Sequence, residues 1–107
     1  MPNELFTEIF LSSKEAILDK ICMKYRVKQL CVFGSILTEK FSNTSDIDLT
    51  VTFHKDQIKD YFLNYFSLKE ELEKLTGREI DLIEYDAIKN IYFKKEVDSH
   101  KCIVYES

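Results

Sequence analysis

Residues 33–51 read FGSILTEKFSNTSDIDLTV, and the fold turns on how that run is divided. From Asp46 to Phe53 polar and apolar residues alternate. Ile47, Leu49, Val51 and Phe53 fall on one side, and Asp46, Asp48, Thr50 and Thr52 on the other, the pattern of a half-buried strand. Residues two apart on a strand point the same way, roughly 6–7 Å from one another. Asp46 and Asp48 therefore share a face, where two ionised carboxylates repel unless a cation lies between them. Ser42 to Ser45 (SNTS) is loop chemistry, Ile36 to Phe41 has room for one helical turn, and Gly34-Ser35 stands immediately after an apolar run.

That run, Gln29 to Phe33 (QLCVF), reads as a buried strand ending at glycine. Upstream, Ile17, Leu18, Ile21, Cys22 and Tyr25 recur at helical spacing. Ser12 and Glu15 fit a capping box, so a helix is expected over Ser13 to Tyr25. Residues 4–11 are apolar-rich and could form a short helix. Downstream, Gln57 to Thr76 has a broad apolar face, with Gly77 where a C-terminal capping glycine belongs. Arg78 to Tyr85 reads as a strand, with Ile80 and Leu82 on one side and Glu79, Asp81 and Ile83 on the other. A helix over Ala87 to Lys95 and a strand over Cys102 to Tyr105 complete the chain. Strands interleaved with helices predict a small α/β or α+β sheet with helices packed on it.

A chain of 107 residues is expected to be one domain, 1–107. A formal charge of -4 argues against a nucleic-acid-binding surface. Cys22, Cys31 and Cys102 are odd in number and widely spaced, which fits a reducing compartment better than a disulfide framework or a zinc site. There is no apolar run of membrane-spanning length and no charged leader at Met1 to Glu4, so the expected location is the cytoplasm, with no membrane partner. Aromatic residues are 13% of the chain, more than so small a domain covers easily. Tyr92, Phe93 and the tail Ile103-Val104-Tyr105 are candidates for a partner surface, in a homo- or hetero-oligomer. His54 and His100 stand alone near element ends and read as surface residues.

A glycine-serine turn between a strand and a helical start offers backbone N–H groups to a phosphate, and the Ser35 hydroxyl adds a donor. Asp46 and Asp48 supply oxygen ligands suited to magnesium, which combines one or two carboxylates with substrate phosphates and water. Two such ions can hold the attacking and leaving oxygens of a nucleotidyl transfer. That task needs a third carboxylate, and Asp81 is the candidate, since an aspartate between Ile80 and Leu82 is disfavoured on strand propensity alone.

GS, a ten-residue spacer and DID, followed by REIDLIEYD, resemble the signature of the DNA polymerase β-type nucleotidyltransferase superfamily. The likeness is strongest to its minimal stand-alone branch, the MNT antitoxins paired with HEPN-domain ribonuclease toxins, and runs from about Ser13 to the C-terminus. It implies an α+β fold with a small mixed sheet. It also implies Gly34 and Ser35 at the nucleotide phosphates, and Asp46, Asp48 and Asp81 as metal ligands for two Mg²⁺ ions, with Asp81 as base. The implied reaction transfers AMP from ATP to a hydroxyl, a tyrosine for preference, of a cognate HEPN toxin. One departure stands out. The family often writes GSxARG, whereas Thr38 and Glu39 occupy the positions of its arginine and second glycine, leaving Lys40 as the nearby cation. Two other readings remain open: a non-catalytic antitoxin that masks its partner, and a small-molecule nucleotidyltransferase of the aminoglycoside-modifying kind.

Overall fold

The computed structural model describes residues 15–34 and 46–107. The expected helical turn at Ile36 to Phe41, the Ser12 cap and residues 4–11 lie outside the described residues. Within them the order is α1 (Glu15–Lys24), β1 (Val27–Phe33), β2 (Ile47–Phe53), α2 (Tyr61–Thr76), β3 (Ile80–Glu84), α3 (Ile91–His100) and β4 (Cys102–Glu106). The sheet runs β3-β2-β1-β4. β1 is antiparallel to β2 and β4, and β2 is parallel to β3, so the sheet is mixed and the class is α+β.

Alternation on β2 sets the core. Ile47, Leu49, Val51 and Phe53 are all buried, and the register stacks Leu49 between Val32 of β1 and Leu82 of β3. Leu18, Ile21 and Cys22 of α1 close over this face with Leu68 and Leu72 of α2. Burial, with Asp19 adding to it, pushes the Cys22 thiol up to about 12.

Several boundaries differ from the sequence expectation, each for a local reason. β1 starts two residues early because Arg26, at φ 59°, turns the chain out of α1 and Val27 pairs with Phe53. α2 starts at Tyr61, not Gln57: Lys55–Gln57 is a separate 3₁₀ turn, and Asp60 caps the helix by accepting from the Leu63 N–H at 3.1 Å. Gly77 ends α2 in the left-handed region at φ 69°, as expected. α3 lies later than Ala87–Lys95 because Asn90 is its cap, accepting from the Tyr92 and Phe93 N–H groups. β2 is more than half-buried: Thr50, on its polar face, is 2% exposed. That face is covered in part: Phe93 of α3 meets Phe33 edge to face at 6.0 Å, Val97 of α3 is buried, and the 3₁₀ turn Tyr85–Ala87 comes against β2.

Candidate active site

The acidic residues converge through strand register. Asp48 of β2 pairs with Asp81 of the parallel β3, and with Phe33 of β1 on its other side. Directly paired residues share a face, so Phe33, Asp48 and Asp81 form one row across the sheet. Asp46 stands two positions before Asp48, just ahead of β2, on the same side. Asp46 and Asp81 are exposed and Asp48 is partly buried. The parallel register of β2 and β3 makes this row.

Gly34 follows Phe33 with φ 79°, a conformation side chains rarely adopt. A Cβ built there would lie 2.6 Å from Oδ2 of Asp48. Glycine at this position therefore does two things: it turns the chain after β1 and leaves room for the Asp48 carboxylate. The sequence pointed to the first role only. Ser35, Thr38, Glu39 and Lys40 lie outside the described residues.

Burial raises the Asp48 carboxyl above its ordinary range, and the charges of Asp81 and then Asp46 raise it further. The site thus disfavours the ionised form of its own central residue, a frustration that a cation would relieve. Among the described residues no group of three or more His, Cys, Asp or Glu side chains forms a ready metal cage. The donor set is an open, all-carboxylate one on a single face. It fits magnesium, which takes few protein ligands and completes its shell with water and phosphate oxygens.

A second polar group that sequence reasoning missed links the end of β3 to α3. The Tyr85 hydroxyl donates to the Asp98 carboxylate, at 2.8 and 3.0 Å from its oxygens. Lys94 and Lys101 lie 4.7 and 4.8 Å from the Tyr85 ring centroid. Burial raises the Cys31 thiol, and the charge of Lys101 works against that shift. Lys94 and Lys101 are seven apart and could have been paired on a helix face, but Lys101 lies past the expected end of α3.

The chain resembles known proteins in sequence and in fold. Residues 16–107 match the family described as polymerase beta, nucleotidyltransferase. A Methanocaldococcus jannaschii protein named as a putative protein adenylyltransferase is 40% identical over 75 residues, which is 70% of this chain and 74% of that protein. A solved structure described as a putative minimal nucleotidyltransferase superposes with a TM-score of 0.72 at 23% identity, covering 94% of this chain and 95% of that one. A chain from the tri-AMPylated Shewanella oneidensis HEPN toxin in complex with MNT antitoxin gives 0.53 at 15% identity, covering 87% and 73%. At such identities these two structures share the fold with this chain.

Proposed function

The chain belongs to the polymerase beta nucleotidyltransferase family, and we propose that it is a protein adenylyltransferase that silences a HEPN-domain toxin by AMP transfer. The observation that carries this reading is the row in which Asp48 pairs with Asp81, with Asp46 on the same side and Gly34 making room for the Asp48 carboxylate. The names of its relatives support the reaction class and the kind of partner.

Asp46, Asp48 and Asp81 would hold divalent cations. Those ions supply positive charge to the triphosphate and lower the cost of the negative charge that develops during transfer. The protein's own groups do the rest. The Gly34-Ser35 dipeptide would offer backbone N–H groups and the Ser35 hydroxyl to the phosphates, as its sequence motif implies. Asp81, exposed at the sheet edge, faces an incoming acceptor and takes the proton of its hydroxyl. The acceptor oxygen bonds the α-phosphorus, the bond from that phosphorus to the oxygen bridging to the β-phosphate breaks, and pyrophosphate leaves. Phe33, braced by Phe93, walls the other side of Asp48. A tyrosine of the toxin is the preferred acceptor, as the resemblance to the MNT antitoxins implies.

The deciding experiment incubates the chain with ATP, magnesium and its cognate toxin, then weighs the toxin. Mass increments of AMP, absent with Asp46→Asn/Asp48→Asn, support the proposal. Full toxin neutralisation by that variant with no added mass would replace transfer by steric masking. The exposed Phe62 and Tyr92 are the surfaces that favour the masking alternative.

A further inference from the structure

Among the described residues β3 is an edge strand, and its pairing decides which of its backbone groups lack a partner strand there. The Glu79 carbonyl accepts from the Ile47 N–H at 3.0 Å, so the peptide groups of Glu79, Asp81 and Ile83 face β2. Those of Ile80 and Leu82 face away from it. Two of these outward groups are taken by side chains of α2. The Glu73 carboxylate accepts from the Ile80 N–H at 3.0 Å, and the Tyr65 hydroxyl donates to the Leu82 carbonyl. After Gly77 the chain doubles back, so the later helix residue meets the earlier strand residue. Asp81 sits between the two bonds.

We propose that Tyr65 and Glu73 are positioning residues that clamp the β3 backbone on both sides of Asp81 and so hold its carboxylate in the row with Asp48. The proposal rests on the reading of Asp81 as the third carboxylate of the transfer site. Clamping also explains two costly choices. An edge strand of five residues, paired on one side, would otherwise fray, and fraying would carry Asp81 away from Asp48. A tyrosine at position 65 keeps its hydroxyl half-buried only because the carbonyl receives it. Burial, and then the charges of Asp81 and Glu84, hold the Tyr65 phenol above its usual range, so it stays a protonated donor. Neither side chain touches the reacting atoms in this scheme; each acts through the backbone of β3.

The test uses Tyr65→Phe, which removes the donor and keeps the ring, and Glu73→Ala, which removes the acceptor. Glu73→Gln retains a carbonyl acceptor and serves as the rescue. Three quantities are read: amide hydrogen exchange of Asp81 relative to Thr50, whose N–H faces β1, affinity for Mn²⁺ alone, and kcat against KM for ATP. Tyr65→Phe and Glu73→Ala should speed Asp81 exchange selectively, weaken Mn²⁺ binding about 10–100-fold and lower kcat with little change in KM. Glu73→Gln should stay close to the parent protein in all three. Unchanged Asp81 exchange in both disruptive variants, or an equal acceleration at Asp81 and Thr50, overturns the clamp. If the parent protein transfers no AMP to any acceptor, the proposed function falls, while the exchange measurement still decides the clamp.

Discussion

Leu49 and Asp48 are neighbours on β2, yet they answer to opposite demands. Leu49 is fully buried between Val32 and Leu82, and everything it touches stabilises it there. Asp48, on the other face, is half-buried beside two like charges and presses on a position where even a methyl group would collide. One face of the sheet minimises free energy in the folded chain. The other stores an electrostatic strain that is relieved only when something positive arrives. Sites of function are where such strain is expected to survive.

The sharpest way to break this contrast is Asp48→Asn. Transfer should fall by at least about a thousandfold, since the residue bears on developing charge. The unliganded variant should nevertheless melt higher, by about 0.5–2 kcal/mol of added stability. Calorimetry with and without magnesium checks the second half, because added metal should raise the Tm of the parent protein and leave the variant unmoved. A variant that loses both transfer and stability would make Asp48 a structural residue.

Leu49→Ala probes the opposite face. It should cost about 2–5 kcal/mol of unfolding free energy. At temperatures where the variant remains folded, its affinity for Mn²⁺ should be nearly intact. Gly34→Ala lies on the border between the two faces. The left-handed backbone alone costs roughly 1–2 kcal/mol, and the new methyl must displace the Asp48 carboxylate. Denaturant melts should therefore show a loss, and transfer should fall further than the stability loss explains.

The smallest effect belongs to Glu84, at the far end of β3 from the turn after α2. Burial works to raise its carboxyl, but the Lys55 ammonium at 2.6 Å and the Tyr61 hydroxyl nearby outweigh burial and hold it below the ordinary range. A lowered carboxyl stabilises the fold above the unfolded-state value and loses that contribution as pH falls through the folded one. The Glu84→Gln variant should thus be slightly less stable than the parent at neutral pH. The gap should close as the pH drops below the usual glutamate range, as read by urea midpoints across pH.

How much of this was visible beforehand depends on the kind of information each feature carries. Alternation over Asp46 to Phe53 is local, so the strand, its two faces and the shared side of Asp46 and Asp48 were legible. Asp81 was legible as an oddity between Ile80 and Leu82, but its place opposite Asp48 depends on a parallel pairing between strands far apart in sequence. Helix starts were misplaced where polar residues compete to cap: Asp60 and Asn90 win over earlier positions, and nothing in the hydrophobic period marks them. Thr50 read as a solvent-facing residue because the period of β2 carries no record of what packs on its polar face from later in the chain. The second partner of Gly34, the Asp48 carboxylate, arises from a contact across β1 and β2 that no dipeptide motif encodes. Ser35 and the departures at Thr38 and Glu39 remain readings of the sequence.

Residue-by-residue paramagnetic broadening of the amide resonances by Mn²⁺ addresses the three carboxylates most directly. Saturable broadening centred on Asp46, Asp48 and Asp81, fading toward α1 on the other side of the sheet and lost in Asp48→Asn, is the predicted result. Broadening that never saturates, or that centres on the surface glutamates of α2 and ignores Asp81, would contradict it.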